Sequence, residues 1–469
     1  MKEKKLEQLG IVTAEGRKAA RLCVEHATHA GLTHKQITKK LRAVARNPQT
    51  HLRDSLFAPL AEALTLRRAT PATRSSPCDA NHSANYKQWG VDLDPKSIEQ
   101  MERACSLPVA VRGALMPDAH LGYGLPIGGV LATDNAVIPY AVGVDIACRM
   151  KLTVLDMPPE TLDDDQSDML RRAIETETRF GVGASFRKRR THPVMDRDWG
   201  VSPITRKLKD KAWDQLGTSG SGNHFVEFGV LHIADATLGL EQGRYLALMS
   251  HSGSRGTGAQ VCKYYSEAAQ SECKGLPREL RHLAWMTLDS HTGREYWAAM
   301  TLMGQYAAAN HELIHRHIAS HLGVEVLLDI ENHHNFAWKE RHDGRIVVVH
   351  RKGATPAAAG QLGIIPGSMA TPAYVVRGKG NPESLESASH GAGRVMSRTA
   401  AKRTLHWSDA RHLLNKNRVT LITAGIDEAP MVYKNIDTVM EAQRDLVDTL
   451  ATFLPRLVKM APAGERPED

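Results

Sequence analysis

The spacing of apolar positions changes character about 85 residues into the chain. In residues 10–70 the apolar positions recur at helical spacing. Ile37, Leu41 and Val44 fall at i, i+4 and i+7, one face of a helix. Arg17 to Val24 is built of good helix formers. Gly31-Leu32-Thr33-His34 interrupts them, with Thr33 placed to cap the next helix, and Asn47-Pro48 ends that helix. Leu56 to Leu66 predicts a third. Ala69 to Asn85 is rich in Pro, Ser, Thr and Ala and reads as a linker. From Trp89 onward, glycine-rich turns alternate with short β-branched runs. Val130–Val137, Arg345–His350, Ala373–Val376 and Val419–Ile422 read as strands. Helices are predicted between them, over about 165–180, 260–273, 290–320 and 435–453. No internal repeat and no second linker appear. The pattern predicts a basic helical module over residues 1–70, a linker over 71–88, and one large α+β domain over 89–469 with short strands and glycine-rich turns around a cleft.

The charge sharpens this division. Residues 1–75 hold 15 Lys and Arg against 6 Asp and Glu, a surplus of 9, while the whole chain carries +8. The remainder is therefore close to neutral. A basic arm of this kind suits nucleic acid or another acidic surface, and equally a solvated helical face. Its helix–Gly–helix layout fits a DNA-binding helix-turn-helix, although other helical hairpins are commoner. No apolar run approaches the roughly 20 residues of a membrane span, and no apolar segment follows the charged N-terminus. No membrane role is expected. Six irregularly spaced cysteines without a C-x-x-C pair suggest neither a disulfide framework nor a Cys₄ zinc site, so a reducing, cytoplasmic setting is expected.

Residues that carry chemistry are scattered over 116–434. Met116-Pro117-Asp118-Ala119-His120 precedes a glycine-rich stretch, and on a strand Asp118 and His120 would share a face. Asp145-Ile146-Ala147-Cys148 offers a hard oxygen and a soft sulfur within one turn. That pairing suits a divalent metal whose other ligands come from elsewhere, although a lone cysteine is more often a small buried residue. Gly220 to Glu227 sets Asn223, His224 and Glu227 among small residues. His251-Ser252-Gly253-Ser254-Arg255-Gly256 and His350-Arg351-Lys352-Gly353-Ala354-Thr355 read as phosphate loops, Arg255 supplying a bidentate fork. Asn332-His333-His334-Asn335, Pro366-Gly367-Ser368-Met369 and Ser389-His390-Gly391-Ala392-Gly393-Arg394 complete the set. Singly, each histidine is more often structural than functional. Jointly, a thiol, an acid and several histidines in glycine-rich turns beside Arg and Lys loops describe a metal site that handles phosphate. His311-Glu312-Leu313-Ile314-His315 also fits H-E-x-x-H, the helical zinc-hydrolase pattern. That pattern arises often by chance, and no compelling third ligand follows it.

With these motifs assembled, residues 89–460 resemble the RtcB family of GTP-dependent RNA ligases, eight or so motifs falling in the family's order. The resemblance implies a single α+β domain around a catalytic cleft. It implies joining of an RNA end bearing a 3′-phosphate or 2′,3′-cyclic phosphate to a 5′-hydroxyl end, in tRNA splicing or RNA repair, with GTP and two Mn²⁺ ions. One metal would be held by Asp145, Cys148 and His224, the other by Cys148, His251 and His334. Ligand chemistry alone would have suggested zinc. His390 would be the nucleophile that forms a histidine–GMP intermediate, oriented by Asp118. The nucleotide pocket would comprise Asn223, His224, Phe225, Val226, Glu227, His334, Asn335, Pro366, Gly367, Ser368, Met369, Gly391, Ala392, Gly393 and Tyr433, with Lys459 in the place of a C-terminal lysine that contacts guanine. An archease-type activator is a partner of the family.

The chain departs from the family pattern at Ala147 and Arg149, where glycines are usual, at Pro356, usually arginine, and at Ala373, usually serine. Arg149 is expected to set a bulky cation beside the metals. These departures keep open a second reading, an RNA-end-binding protein of the same fold that has lost ligation.

Overall fold

The computed structural model describes residues 6, 9, 11, 14–51, 54, 56–65, 83–163 and 167–464. The chain forms two compact units, Met1–Ser76 and Pro77–Asp469. In the first, the helices Ala14–His29, His34–Arg46 and Ala58–Thr65 enclose a small core. The stripe Ile37, Leu41, Val44 is buried in it against Cys23, Phe57 and Leu60. Thr33 caps the second helix through a capping box. Its Oγ1 accepts from the Gln36 N–H, and its own N–H donates to Gln36 Oε1 at 2.8 Å. Lys35, Lys39, Arg42 and Arg46 face solvent on that helix.

The expected linker falls largely on residues 66–82, outside the described residues. Tyr86–Gln88, at its end, is a strand paired in parallel with Gly113–Leu115. It forms the edge of a five-stranded sheet that continues through Ala110–His120, Ile127–Thr133, Arg345–Lys352 and Asn335–His342. A second sheet of eight strands runs from Leu362–Ile365 through Ala373–Gly378, Val447–Met460, Phe225–Ile233, Gly243–Ser252 and Arg149–Leu155 to Val326–His333. Thr420–Thr423 joins it alongside Val447–Met460. Nearly all ladders are antiparallel, and helices pack against the sheets rather than crossing between parallel strands, so the class is α+β. The helix His291–Leu322 lies across the back of the large sheet, where Ile314 and Ile318 meet Val226, Phe228, Leu246 and Leu248.

The two sheets are joined by one residue. His333 ends a strand of the large sheet, Asn335 begins a strand of the smaller one, and His334 stands between them. A strand must leave one hydrogen-bonded ladder to enter another, and side chains at that joint point into the space between sheets. The cleft lies there.

Two predicted elements differ. Residues 435–453 give only the short helix Ile436–Glu441. The apolar run beyond it becomes the strand Val447–Met460, inserted between Ala373–Gly378 and Phe225–Ile233. Pairing on both sides overrides helix propensity, and Pro455, which has no N–H to donate, sits at a register shift. Val130–Val137 is broken at Asp134-Asn135, where Asn135 takes φ +45°, so the run splits into Ile127–Thr133 and Ala136–Val137.

Candidate active site

Asp118 and His390 meet first. Asp118 lies near the end of its strand, fully buried. Its Oδ2 accepts from His390 Nδ1 at 2.7 Å, from the His390 backbone N–H at 3.1 Å and from Gly391 N–H at 3.3 Å. Burial opposes the carboxylate's charge, yet the hydrogen bond from His390 and the nearby His120 and Lys434 hold its pKa below the usual range. With Nδ1 committed, the other ring nitrogen of His390 is the one available for chemistry. The turn that carries His390 is tight. Gly393 adopts φ +76°, and a Cβ there would stand 2.1 Å from the Asp118 carbonyl oxygen. Lys434 clamps the same strand by donating to the Pro117 and Ala119 carbonyls at 2.8 and 3.1 Å.

Five ligand-type side chains converge beside this pair. Cys148 Sγ lies 3.1 Å from His251 Nε2 and 3.4 Å from His224 Nε2, and His251 Nε2 lies 3.2 Å from His334 Nε2. Asp145 Oδ2 stands 3.1 Å from His224 Nε2. All five residues are buried. His251 Nδ1 donates to the Asn223 carbonyl at 3.2 Å, which leaves the Nε2 lone pair facing His334 and the thiol. Burial pushes the His251 pKa down to about 3 and that of His334 well below the usual value, so both rings are neutral at pH 7. Neutral imidazoles and deprotonated sulfur and oxygen are what a divalent cation binds. His334 Nδ1 is buried without a hydrogen-bond partner among the described residues. Cys148, His224 and His251 present ligand atoms within 4.8 Å of one another. The donor set fits one or two divalent metal ions.

Asp145 and His224 are braced from outside. Asp145 Oδ1 accepts from Ser254 N–H at 2.9 Å and Ser254 Oγ–H at 3.1 Å. A Cβ at Gly253 would stand 2.1 Å from Asp145 Oδ2. The loop read as a phosphate cradle is therefore the seat of Asp145. Its Arg255 is 1% exposed, lies under Gly220 and sets Nη1 3.1 Å from His224 Nδ1. It backs a ligand-type histidine and does not face the cleft. Asn335 ties the segments together. Its Oδ1 accepts from Gly353 N–H at 2.7 Å, and its Nδ2 donates to the Asp145 carbonyl at 3.3 Å.

Asp145, Cys148, His224, His251, His334 and His390 line one open cleft of about 870 Å³. Asn223, His224, Phe225, Glu227, Asn335, Pro366–Met369, Gly391–Gly393 and Tyr433 all border it. Burial raises the Glu227 pKa well above the ordinary carboxylate value. Val226 and Lys459 do not border the cleft. On the strand Phe225–Ile233, Phe225 and Glu227 face it, so strand alternation turns Val226 into the core behind. Lys459 pairs with Val226 in register, faces the same side and lies 5.6 Å over the Phe180 ring, while Val458 and Met460 take the cleft.

Arg398 and Glu428 were not singled out by sequence reasoning. Arg394, Arg398 and Tyr433 all converge on the buried Glu428. The acidic pair Asp427-Glu428 is the only signal in the sequence, and nothing there ties it to arginines some 30 residues upstream.

The departures from the family pattern lie mostly off the cleft. Arg149 points to the helix side of the large sheet, paired with Glu331 and donating to the Gly304 carbonyl at 3.2 Å. Strand alternation separates it from Cys148, so it does not crowd the ligand cluster. Pro356 is buried in a two-stranded ladder with Ser387, and Ala373 borders the cleft. In the second loop read as a phosphate site, Arg351 pairs with Glu340 at 2.6 Å, His350 bonds to backbone, and only Lys352 and Gly353 reach the cleft. The H-E-x-x-H pattern builds no metal site. Ser250 Oγ lies 2.9 Å from His311 Nδ1 and 2.7 Å from His315 Nε2, while Glu312 faces outward to Arg316 and His192.

Residues 100–202 and 195–460 match the family model described as tRNA-splicing ligase RtcB. The chain belongs to the RtcB family. It is 36% identical over 402 residues to the RNA-splicing ligase RtcB of Escherichia coli K12, covering 79% of this chain and 96% of that protein. It is 35% identical over 431 residues to the Mycobacterium tuberculosis RNA-splicing ligase RtcB, with 76% and 98% covered. It is 32% identical over 427 residues to the tRNA-splicing ligase RtcB of Archaeoglobus fulgidus, with 74% and 87% covered. The basic unit of residues 1–76 precedes the stretch matched by the RtcB model. No helix among the described residues is long and apolar enough to cross a membrane.

Proposed function

We propose that this RtcB-family chain is an RNA ligase that joins an RNA end bearing a 3′-phosphate or 2′,3′-cyclic phosphate to a 5′-hydroxyl end, using GTP through a covalent histidine–GMP intermediate on His390. The observation that carries the reading is the Asp118–His390 pair beside the Cys148 cluster. Asp118 accepts the Nδ1 proton at 2.7 Å, which orients the ring and leaves Nε2 as the nucleophile. Nε2 forms a bond to the α-phosphorus of GTP as the bond to pyrophosphate breaks. A 2′,3′-cyclic phosphate end is first opened by water to a 3′-phosphate and a 2′-hydroxyl. The 3′-phosphate then takes the guanylate from His390 as the N–P bond breaks, and so becomes an electrophile with a good leaving group. The 5′-hydroxyl attacks it, a phosphodiester forms and GMP leaves.

Asp145, Cys148 and His224 would hold one manganese ion, and Cys148, His251 and His334 the other. Bound there, the ions would supply positive charge to offset the charge that develops on the phosphate oxygens. The cleft wall from Asn223 to Glu227, together with Pro366–Met369 and Tyr433, would hold the nucleotide. A cytoplasmic setting and an archease-type activator belong to the same proposal.

The test is incubation with α-labelled GTP and Mn²⁺. Acid-labile label is expected on the wild-type chain and none on His390→Ala. An unlabelled wild type, or a labelled His390→Ala, would sink the mechanism. An RNA-end-binding protein without ligation would instead show salt-dependent RNA binding and no joined product.

A further inference from the structure

Tyr123 is out of place for an aromatic side chain. It stands at the rim of the catalytic cleft and is 62% exposed, beside Leu121, which is also exposed. The loop that carries it is held on every side. The Gln100 side chain accepts from Gly122 N–H at 3.0 Å and donates to the Gly122 carbonyl at 2.6 Å. Lys352 Nζ donates to the Tyr123 carbonyl. Gly124 takes φ +72°, and a Cβ there would stand 2.7 Å from the His282 carbonyl oxygen. Tyr140 and His282 meet edge to face at 4.9 Å and support the Tyr123 ring at 6.4 and 6.0 Å. The loop backbone is fixed while most of the aromatic ring is left open to water at the mouth of the site, an exposure that serves no folding role.

The connection to the chemistry is short. Lys352, which fixes the Tyr123 backbone, precedes Gly353, and a Cβ at Gly353 would stand 3.1 Å from His390 Cε1. Lys352 is buried in the cleft wall and has no carboxylate partner among the described residues. An exposed aromatic face on a fixed loop beside a cation, at the edge of a cleft that handles RNA ends, has the make-up of a single-strand stacking platform.

We propose that Tyr123 stacks on the unpaired nucleobase next to the RNA ends being joined, and so positions the end over His390. The proposal rests on the RNA-ligase reading for its ligand. Stacking does not discriminate strongly among bases, so the platform would serve many sequences.

The test uses the full chain and short single-stranded RNAs, with affinity read by fluorescence anisotropy. Tyr123→Ala should weaken binding about tenfold, and Tyr123→Phe, which keeps the ring, should bind within about twofold of wild type. An abasic nucleotide at the 3′-phosphate end or at the 5′-hydroxyl end should cost the wild type the same factor in one of the two arms. It should cost Tyr123→Ala nothing further, since the two changes remove one contact. Guanylylation of His390 without RNA should be the same in all three proteins. Tyr123→Ala binding like wild type, Tyr123→Phe binding as poorly as Tyr123→Ala, or an abasic penalty that persists in Tyr123→Ala would each overturn the proposal. A wild type that binds RNA in this pattern but never takes label from GTP would overturn the ligase reading and leave the stacking contact standing.

Discussion

Asp118 Oδ2 accepts the Nδ1 proton of His390 at 2.7 Å from a position with no solvent contact, across 272 residues of sequence. The carboxylate also takes two backbone N–H groups of the same turn, so it fixes both the ring and the peptide that carries it. Asp118→Asn keeps the shape and one carbonyl acceptor but removes the negative charge that holds the Nδ1–H tautomer and stabilises charge on the ring. It should lower the rate of His390 guanylylation by about a hundredfold to ten-thousandfold while GTP affinity changes little. Single-turnover labelling across GTP concentrations measures both.

Cys148 Sγ stands between two histidines of the cluster, 3.1 Å from His251 Nε2 and 3.4 Å from His224 Nε2. If its thiolate bridges two ions, Cys148→Ala should lower bound manganese from two per chain towards none. His334→Ala should retain close to one. Metal analysis after gel filtration distinguishes a bridging ligand from two independent sites.

Lys352 is buried, and burial lowers its pKa to about 8. The unfolded chain, with an ordinary lysine, binds the proton more tightly than the folded one. Stability therefore carries a penalty below pH 8 that fades as pH rises from 8 towards the ordinary lysine value. Lys352→Met should raise the melting temperature at pH 7, and the gain should shrink by pH 10. A gain that does not depend on pH would mean that the charge is not its source.

Ala147 lies between Asp145 and Cys148 at φ +58°, a left-handed conformation that costs a residue with a Cβ roughly 1–2 kcal/mol. Its N–H donates to the Asn335 carbonyl at 2.6 Å, which holds it there. Ala147→Gly relieves the strain and adds unfolded-state entropy, for a net stabilisation of up to about 1 kcal/mol. Chemical denaturation reads it directly.

The N-terminal unit has its own core and exposes Lys35, Lys39, Arg42 and Arg46 on one helix. Deleting residues 1–76 should leave guanylylation unchanged. It should weaken RNA binding and flatten its dependence on salt, because fewer phosphate contacts release fewer counterions. Loss of guanylylation would show that the unit supports the catalytic fold.

The sequence alone determined what local chemistry determines. Ile37, Leu41 and Val44 marked a buried helix face because helical spacing is written into the chain, and Thr33 marked its start. Asp145, Cys148, His224, His251, His334 and His390 were legible as candidates because their residue types and neighbouring glycines are visible without a fold, and the resemblance to the RtcB family singled them out as a set. What depends on which way a side chain faces was decided only by tertiary structure. Val226 and Lys459 turn from the cleft, and Arg149 turns from the ligand cluster, because strand alternation and register assign each face, and neither is set by the residue itself. Residues 447–460 became a strand because two neighbouring strands hydrogen-bond to them. Arg255 became the backing of a histidine because Gly220 leaves room above it. The placement of His334 at the single residue between two sheets, which brings it within 3.2 Å of His251, is a property of how two ladders meet. No local pattern records it, because the partners of each ladder come from segments far apart in the chain.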